Sequence, residues 1–180
     1  MFSDLVADLT RDLVRVENAQ LVSGSATAPN LRGVLNTTGI QTRARGTDSS
    51  LDALLKGITL LRVNAYVEPD AIVLHPTNLE TIRLSKATGS GDYLVGDPLA
   101  QGQPTISGGP VYLTTDMTLT TGLIMNAQDA AKVYLRQDIT VDTGYTSTGL
   151  TTNVSAIRAE ERLALAVRRP ASVVTVTALR

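Results

Sequence analysis

The sequence contains no cysteine and no tryptophan, and His75 is its single histidine. The lack of cysteine excludes disulfide frameworks, thiol nucleophiles and cysteine-based zinc or iron–sulfur centres. A single histidine excludes sites built from several histidines, and we expect neither a bound metal nor a cofactor. Aromatic residues make up only 3% of the chain. Because ligand pockets usually have an aromatic lining, this scarcity argues against a small-molecule enzyme.

The 180 residues carry neither a long apolar run nor an excess of one charge. The longest apolar stretch, LALAV at 163–167, is far too short to cross a bilayer. There are 16 basic and 17 acidic residues, which excludes a strongly basic nucleic-acid binder and an acidic tail. The first residues, MFSDLVADLTRD, are acidic where a signal peptide needs basic and apolar segments. We therefore expect a cytosolic protein of one domain or two small lobes.

Apolar residues at helical spacing predict three helices. They are 3–21, 50–64 and about 77–86. Ser49 with Asp52, and Thr77 with Glu80, resemble capping boxes at the starts of the second and third helices. Each pair combines a hydroxyl that can accept a main-chain hydrogen bond with a carboxylate three residues later, so we expect both helices to begin there.

β-branched residues and alternating patterns predict strands, mostly in the second half. The predicted strands are 71–74, 111–115, 123–125, 132–136, 139–143 and 172–177, and the predicted loops are 23–48 and 87–110. Residues 153–168 leave two alternatives open, because their Ala, Glu and Arg content favours a helix. We favour a strand, because Leu163, Leu165 and Val167 keep a period of two almost to Pro170. Together these elements indicate an α+β domain.

Residues able to perform catalysis are few and poorly placed. A Ser-His-Asp triad would have to use His75, and we favour the alternative of a histidine hydrogen-bonded at a strand end. Glu160 and Glu161 are adjacent, so on a strand they point to opposite faces. Asp138 and Asp142, four apart on a strand, share a face at roughly 13 Å, too far for a glycosidase pair. Chemistry alone therefore indicates an interaction protein.

Five blocks of sequence together form a recognisable pattern. They are VENAQLVSGSATAPNLRGVLN (16–36), AIVLHPTNLETIRLSK (71–86), GDYLVGDPLAQGQPTISGGPVYLTTDM (91–117), AKVYLRQDITVDTGY (131–145) and NVSAIRAEERLALAVRRPASVV (153–174). In this order the blocks resemble the major capsid proteins of tailed bacteriophages of the Hong Kong 97 type. They match the end of the spine helix and its loop, a strand–proline–helix segment, a loop with a strand, and the late strands.

The resemblance implies an α+β Hong Kong 97-type capsid fold with an axial and a peripheral lobe. Residues 1–29 would hold the spine helix and the start of its loop, 30–125 the axial lobe, and 126–180 the peripheral strands and C-terminal segment. Family members carry an N-terminal arm and an extended loop ahead of the spine helix. Since this sequence begins at the helix, we expect the chain to lack both.

The same resemblance implies a structural function and no enzymatic one. It implies that copies of a phage or prophage major capsid protein assemble, through pentamers and hexamers, into an icosahedral shell enclosing double-stranded DNA. Other capsid or scaffolding proteins and non-specific contacts with packaged DNA are the further expected partners, and no membrane is involved. The expected location is the virion capsid, and the host cytoplasm before assembly.

Some family members cross-link their shells covalently. The resemblance implies that two residues of this chain match residues that take part in that reaction. Asn153 would accept a lysine from a neighbour's extended loop, and Glu160 would act as the base. The alternative for Glu160 is a structural carboxylate paired with Arg158 or Arg162.

Two other functions stay open beside the capsid subunit. An encapsulin-like compartment shell would share the fold and would need an interior groove for a cargo peptide. A small hydrolase would need His75 beside a serine or aspartate in a concave site.

Overall fold

The structure, a computed structural model, describes residues 2–86, 93–95, 102–145 and 149–179. Its helices are α1 (Phe2–Ser23), α2 (Ser50–Ala65), α3 (Pro76–Arg83), α4 (Ala127–Ala130) and α5 (Gly149–Thr152), with 3-10 turns at Val34–Asn36 and Pro170–Ser172. Its strands are β1 (Gln41–Ala44), β2 (Ala71–Leu74), β3 (Thr105–Ile106), β4 (Gly109–Leu113), β5 (Gly122–Met125), β6 (Ala131–Tyr145), β7 (Ser155–Val167) and β8 (Val173–Thr177). Half of the second predicted loop, at 87–92 and 96–101, lies outside the described residues, and β3 falls in the described part of it.

Six strands form the central sheet, in the order β1-β8-β5-β2-β4-β3. β2 pairs in parallel with β4 and antiparallel with β5. β8 likewise pairs in parallel with β1 and antiparallel with β5. The predicted buried strand at 71–74 is confirmed as β2, in which Ile72 and Leu74 are completely buried. A continuous apolar run suits this position because both faces of a central strand are covered.

Helix α2 packs across one face of the central sheet. Its buried residues are Ser50, Ala53, Leu54, Gly57, Ile58, Leu61 and Ala65. The predicted apolar stripe is confirmed at Leu54, Ile58 and Leu61, whereas Leu51 is half-buried and Leu55 is 37% exposed. Gly57 permits a close approach, since a Cβ there would lie 2.8 Å from Ile124 Cδ1 and 2.9 Å from Val176 Cγ2. Burying a leucine or isoleucine side chain stabilises the fold by about 1.5–3 kcal/mol, so this stripe is a large part of the core.

A second apolar cluster lies on the opposite face of the sheet. Its buried members are Val34, Met117, Leu123, Ala130 and Val173. Because side chains alternate along a strand, Leu123 and Val173 point away from α2, opposite to their neighbours Ile124 and Val174. Residues from the end of α1 and from β7 also pack here. This cluster therefore joins α1 and the late strands to the central sheet.

One helix start agrees with the prediction and one does not. Ser49 caps α2 as predicted, its Oγ accepting a first-turn amide hydrogen bond at 3.0 Å. Helix α3 instead begins at Pro76, and His75 Nδ1 accepts the hydrogen bond from the Thr77 amide at 3.2 Å. The predicted capping box of Thr77 and Glu80 is therefore wrong. Proline lacks an amide hydrogen and has a fixed φ, so it favours the first helical position and moves the start earlier.

The first predicted loop, 23–48, contains more structure than its composition indicated. It includes β1. It also includes a tight crossing, the point at which the main chain around Gly33 passes in contact with the main chain around Gly24. A Cβ on Gly33 would lie 2.7 Å from the Val22 carbonyl oxygen, so no larger residue fits without moving the main chain. Hydrogen bonds from the Gly33 amide (3.0 Å) and the Asn36 side chain (2.9 Å) to the Gly24 carbonyl hold the crossing. The crossing fixes the end of α1 against the following 3-10 turn.

Strands β6 and β7 form a separate two-stranded antiparallel ribbon. The prediction of two strands at 132–136 and 139–143 is wrong, because one continuous strand, β6, runs through both segments. Its register with β7 is irregular around Gln137, which lies between the two predicted strands. The strand alternative for 153–168 is confirmed as β7.

The strand order divides the chain differently from the predicted lobes. The boundary at residue 125 assigns the last strand to the peripheral lobe, whereas β8 lies inside the central sheet. Long-range pairing is the reason, since Val174 lies opposite Gln41 of β1 and Ile124 of β5. We therefore group 173–177 with the central sheet. Helix α1 contacts β7, which groups it with the ribbon.

Candidate assembly surface

His75, the centre of the hydrolase hypothesis, caps α3 with its side chain. The imidazole is half-buried, and its Nδ1 is occupied by the hydrogen bond from the Thr77 amide. Within the described ranges, neither a hydroxyl nor a carboxylate hydrogen-bonds to this imidazole. The structure thus places His75 in the strand-end role that we favoured.

The described residues contain no group of three or more histidine, aspartate or glutamate side chains arranged to hold a metal ion. In the same ranges, no helix combines the length and the apolar character needed to cross a membrane.

Carboxylates on the ribbon pair with arginines and amides. Asp142 lies 3.2 Å from Arg158 across the two strands. The Glu160 carboxylate lies 3.6 Å from Arg158 Nε and 4.0 Å from an Arg162 nitrogen, and Gln137 Nε2 donates to it at 3.2 Å. Such partly exposed pairs contribute about 0–1 kcal/mol each. These contacts are those of the structural alternative for Glu160, a carboxylate paired with Arg158 and Arg162.

The two residues of the cross-linking hypothesis lie far apart along the ribbon. Asn153 is exposed, has a φ of 55°, and precedes β7 instead of lying on it. Glu160 lies in the middle of β7, opposite Thr140. The strand from Ser155 to Glu160 alone spans about 17 Å at about 3.3 Å per residue. The structure therefore does not bring the two side chains together within one copy.

Glu161 points away from Glu160, as the strand predicts, and faces α1. It lines a groove of about 330 Å³ between α1 and β7. The other lining residues are Leu13, Val16, Glu17, Gln20, Pro29, Leu31, Arg162 and Leu163. Burial, and then the negative charges of Glu17 and Asp138, raise the pKa of Glu161 above its usual value. The contact between the long helix and the ribbon is therefore sensitive to carboxylate charge.

The ribbon is long, and none of its residues is buried. β6 has 15 residues and β7 has 13, and each is exposed or half-buried. Consecutive apolar side chains of β6 are about half exposed: Val133 by 46%, Tyr134 by 50% and Leu135 by 55%. An isolated two-stranded hairpin is at best marginally stable in water, and contiguous exposed apolar patches mark interaction sites. The ribbon therefore has the properties of an interface that another molecule covers.

The sequence contained a signal for this surface that our prediction did not use. Three consecutive apolar residues on a strand place apolar side chains on both of its faces. Both faces of the strand therefore have apolar side chains to be covered. Within the described chain, α1 packs along only part of one face.

Helix α1 provides a second uncovered surface. Over residues 3–23 no side chain of this helix is buried, and Leu5 and Val14, which do not line the groove, are 48% and 38% exposed. A helix of a globular protein normally buries one apolar stripe. Only the side of α1 that lines the groove meets β7, so the exposed apolar residues are available to another chain.

Comparison with known proteins supplies the family. The Phage capsid family matches residues 2–178. The major capsid protein of Enterobacteria phage HK97 is 30% identical over 161 residues, which is 88% of this chain. The chain spans 41% of the length of that relative.

Solved structures show the same fold. The capsid of an empty GTA particle superposes with a TM-score of 0.79 at 18% identity, covering 100% of this chain and 67% of that one. The holo-SrpI encapsulin of Synechococcus elongatus PCC 7942 superposes with a TM-score of 0.64 at 14% identity, covering 96% and 64%. The fold alone thus does not separate capsids from encapsulins, whereas the sequence match does. The chain belongs to the phage capsid family and has the Hong Kong 97-type capsid fold.

Proposed function

We propose that this chain is a structural subunit, or the folded core of one, of a phage or prophage major capsid protein. Identical copies assemble into an icosahedral shell that encloses double-stranded DNA. The observation that carries the proposal is the ribbon of β6 and β7, whose 15 and 13 residues include no buried one. In a shell, neighbouring copies cover such a surface through repeated heterologous contacts.

The lobes follow the corrected grouping of strands. The central sheet with α2 and α3 forms the axial lobe, and α1 with the ribbon forms the peripheral lobe. Strand β8 joins the axial lobe because it pairs with β1 and β5. Five-fold and six-fold clusters form through the axial lobes, and peripheral contacts join the clusters. Assembly takes place in the host cytoplasm, where scaffolding or other capsid proteins are further partners.

Contact with packaged DNA is non-specific in this proposal. The net charge is −1, so the chain as a whole is not attracted to DNA by an excess of positive charge. Any measured binding rests on a few exposed arginines and should disappear at moderate salt, because each phosphate contact releases counterions.

Cross-linking through Asn153 and Glu160 is a narrower proposal. The lysine Nζ of a neighbour's extended loop would bond to the Asn153 side-chain carbonyl carbon, with ammonia leaving. Because Asn153 and Glu160 are far apart in one copy, they would have to come from two copies. Denaturing electrophoresis of assembled particles whose subunits carry that loop tests it. Covalent multimers that disappear in both Asn153→Ala and Glu160→Gln support cross-linking. Free monomers from intact particles contradict it, and they leave Glu160 with its structural contacts to Gln137 and Arg162.

The direct test of assembly combines light scattering over a concentration series with negative-stain imaging of the same samples. We expect pentamers, hexamers or closed particles from the wild-type chain. Leu135→Ser, which removes an apolar side chain that is 55% exposed, should lower the assembled fraction without altering the unfolding midpoint. Thr143→Ser, an exposed change farther along the same strand, is the matched control and should assemble like the wild type. A wild-type chain that stays monomeric at every concentration contradicts assembly by this chain alone and leaves it as the folded core of a subunit.

A further inference from the structure

A polar bay of about 420 Å³ lies on the face of the central sheet that points away from α2. Its lining residues are Ser23, Leu35, Asn36, Ile40, Thr42, Thr118, Thr121, Thr175 and Thr177. Five of these are threonines, and none carries a charge. Hydroxyl and amide groups both donate and accept hydrogen bonds, so the bay suits a neutral polar group.

Thr175 gives the bay an unsatisfied hydrogen-bonding group. The residue is only 7% exposed, and its Oγ1 has no hydrogen-bond partner among the residues that the structure describes. It lies on β8 directly opposite Thr42 of β1. Buried hydroxyls in proteins are normally hydrogen-bonded. The Ser172 hydroxyl is in the same state, but Thr175, unlike Ser172, also lines the bay that a second chain could enter.

The strand beside the bay has an open edge. Within the described residues, β1 pairs with β8 alone and ends the sheet. The Arg45 amide donates to the Thr177 carbonyl oxygen at 3.0 Å, so the main-chain groups of Arg45 point towards β8. Because these directions alternate along a strand, the main-chain groups of Thr42 and Ala44 point outward. Both residues are exposed, so their amides and carbonyls are free to pair with an added strand.

We propose that an extended segment of a second copy of this chain adds to the open edge of β1 and places a neutral polar side chain in the bay, where it hydrogen-bonds to Thr175. The inference rests on the proposed function, because a shell of identical copies supplies the second chain. Main-chain pairing along Thr42 and Ala44 provides affinity, and the bay selects the side chain. The uncharged lining disfavours a lysine or glutamate, whose charge would lose water without gaining a counter-charge.

The substitution Thr175→Val tests the bay, because it keeps the shape of the side chain and removes the hydroxyl. In the isolated chain we expect an unchanged or higher unfolding midpoint, since the removed group has no partner there. Self-association, measured by sedimentation over a concentration series, should weaken at least tenfold. The matched control is Ser172→Ala, which removes another fully buried hydroxyl without a described partner that does not line the bay. This control should associate like the wild type.

Hydrogen exchange of peptides covering residues 41–44 tests the edge. We expect slower exchange in associated wild-type chains than in dissociated ones, and no such difference for Thr175→Val at equal concentration. Equal association of Thr175→Val, Ser172→Ala and wild type would overturn the inference while leaving the proposed function intact, and would mean that water satisfies Thr175. Wild-type chains that do not associate overturn the inference for this chain and leave only the folded-core form of the proposed function.

Discussion

The crossing at Gly24 and Gly33 offers the sharpest test of how the fold is built. Gly33 has φ −68° and ψ 162°, which alanine adopts without strain. Space alone excludes alanine, because its Cβ would lie 2.7 Å from both the Ser23 nitrogen and the Val22 carbonyl oxygen. Since these are main-chain atoms, Gly33→Ala must push the two chain segments apart.

The cost follows from the hydrogen bonds that hold the crossing. They run from Gly33 N to Gly24 O (3.0 Å), from Ala26 N to Leu31 O (2.9 Å), and from Asn36 Nδ2 to Ser23 O and Gly24 O (2.9 Å each). At about 1 kcal/mol each, the loss of all four costs about 4 kcal/mol. If some of these hydrogen bonds are retained in the variant, we expect a loss of about 2–4 kcal/mol in the free energy of unfolding. That corresponds to about 10 °C in Tm for a domain of this size.

Urea unfolding of the monomer measures this effect, and Gly144→Ala is the matched control. Gly144 lies on β6 with no atom within 4 Å of its added Cβ, so we expect a change within about 0.5 kcal/mol. If Gly33→Ala costs less than about 1 kcal/mol, or no more than the control, the crossing does not hold α1 as argued.

Three further predictions concern the core, the groove and the strand end. Leu54 is completely buried, so Leu54→Ala should cost about 2–5 kcal/mol in urea unfolding. The raised pKa of Glu161 means that the folded state keeps its proton where the unfolded state has lost it. Wild-type stability should therefore fall, relative to Glu161→Gln, as pH rises from about 4 to about 7, and parallel pH profiles would contradict this. His75→Ala should cost about 1 kcal/mol by removing the α3 cap, and His75→Asn should recover most of it.

Local elements were predictable where one local rule dominated. Most of the apolar stripe of α2 and of the apolar run of β2 is buried as predicted, the exceptions being Leu55, which is exposed, and Leu51 and Val73, which are half-buried. Alternation at Leu163 and Leu165 decided correctly between strand and helix for β7. The start of α3 was missed because Pro76 and His75 together make a better first turn than Thr77 does.

Features that depend on distant residues were not predictable. Four-residue β1 lies in a polar segment, and only pairing with β8, more than a hundred residues later, makes it a strand. The same pairing moves β8 from the predicted peripheral lobe into the central sheet. The bay around Thr175 is likewise formed by residues from five separate parts of the chain, so no local pattern could indicate it.

The central claim is that neighbouring copies cover the ribbon and the exposed side of α1. A cryo-electron microscopy reconstruction of particles assembled from this chain tests it most directly. The account predicts a closed or ring-shaped assembly in which Val133, Tyr134 and Leu135 are buried against another copy. Particles that leave this part of β6 in solvent, or preparations that contain monomers alone, would contradict it.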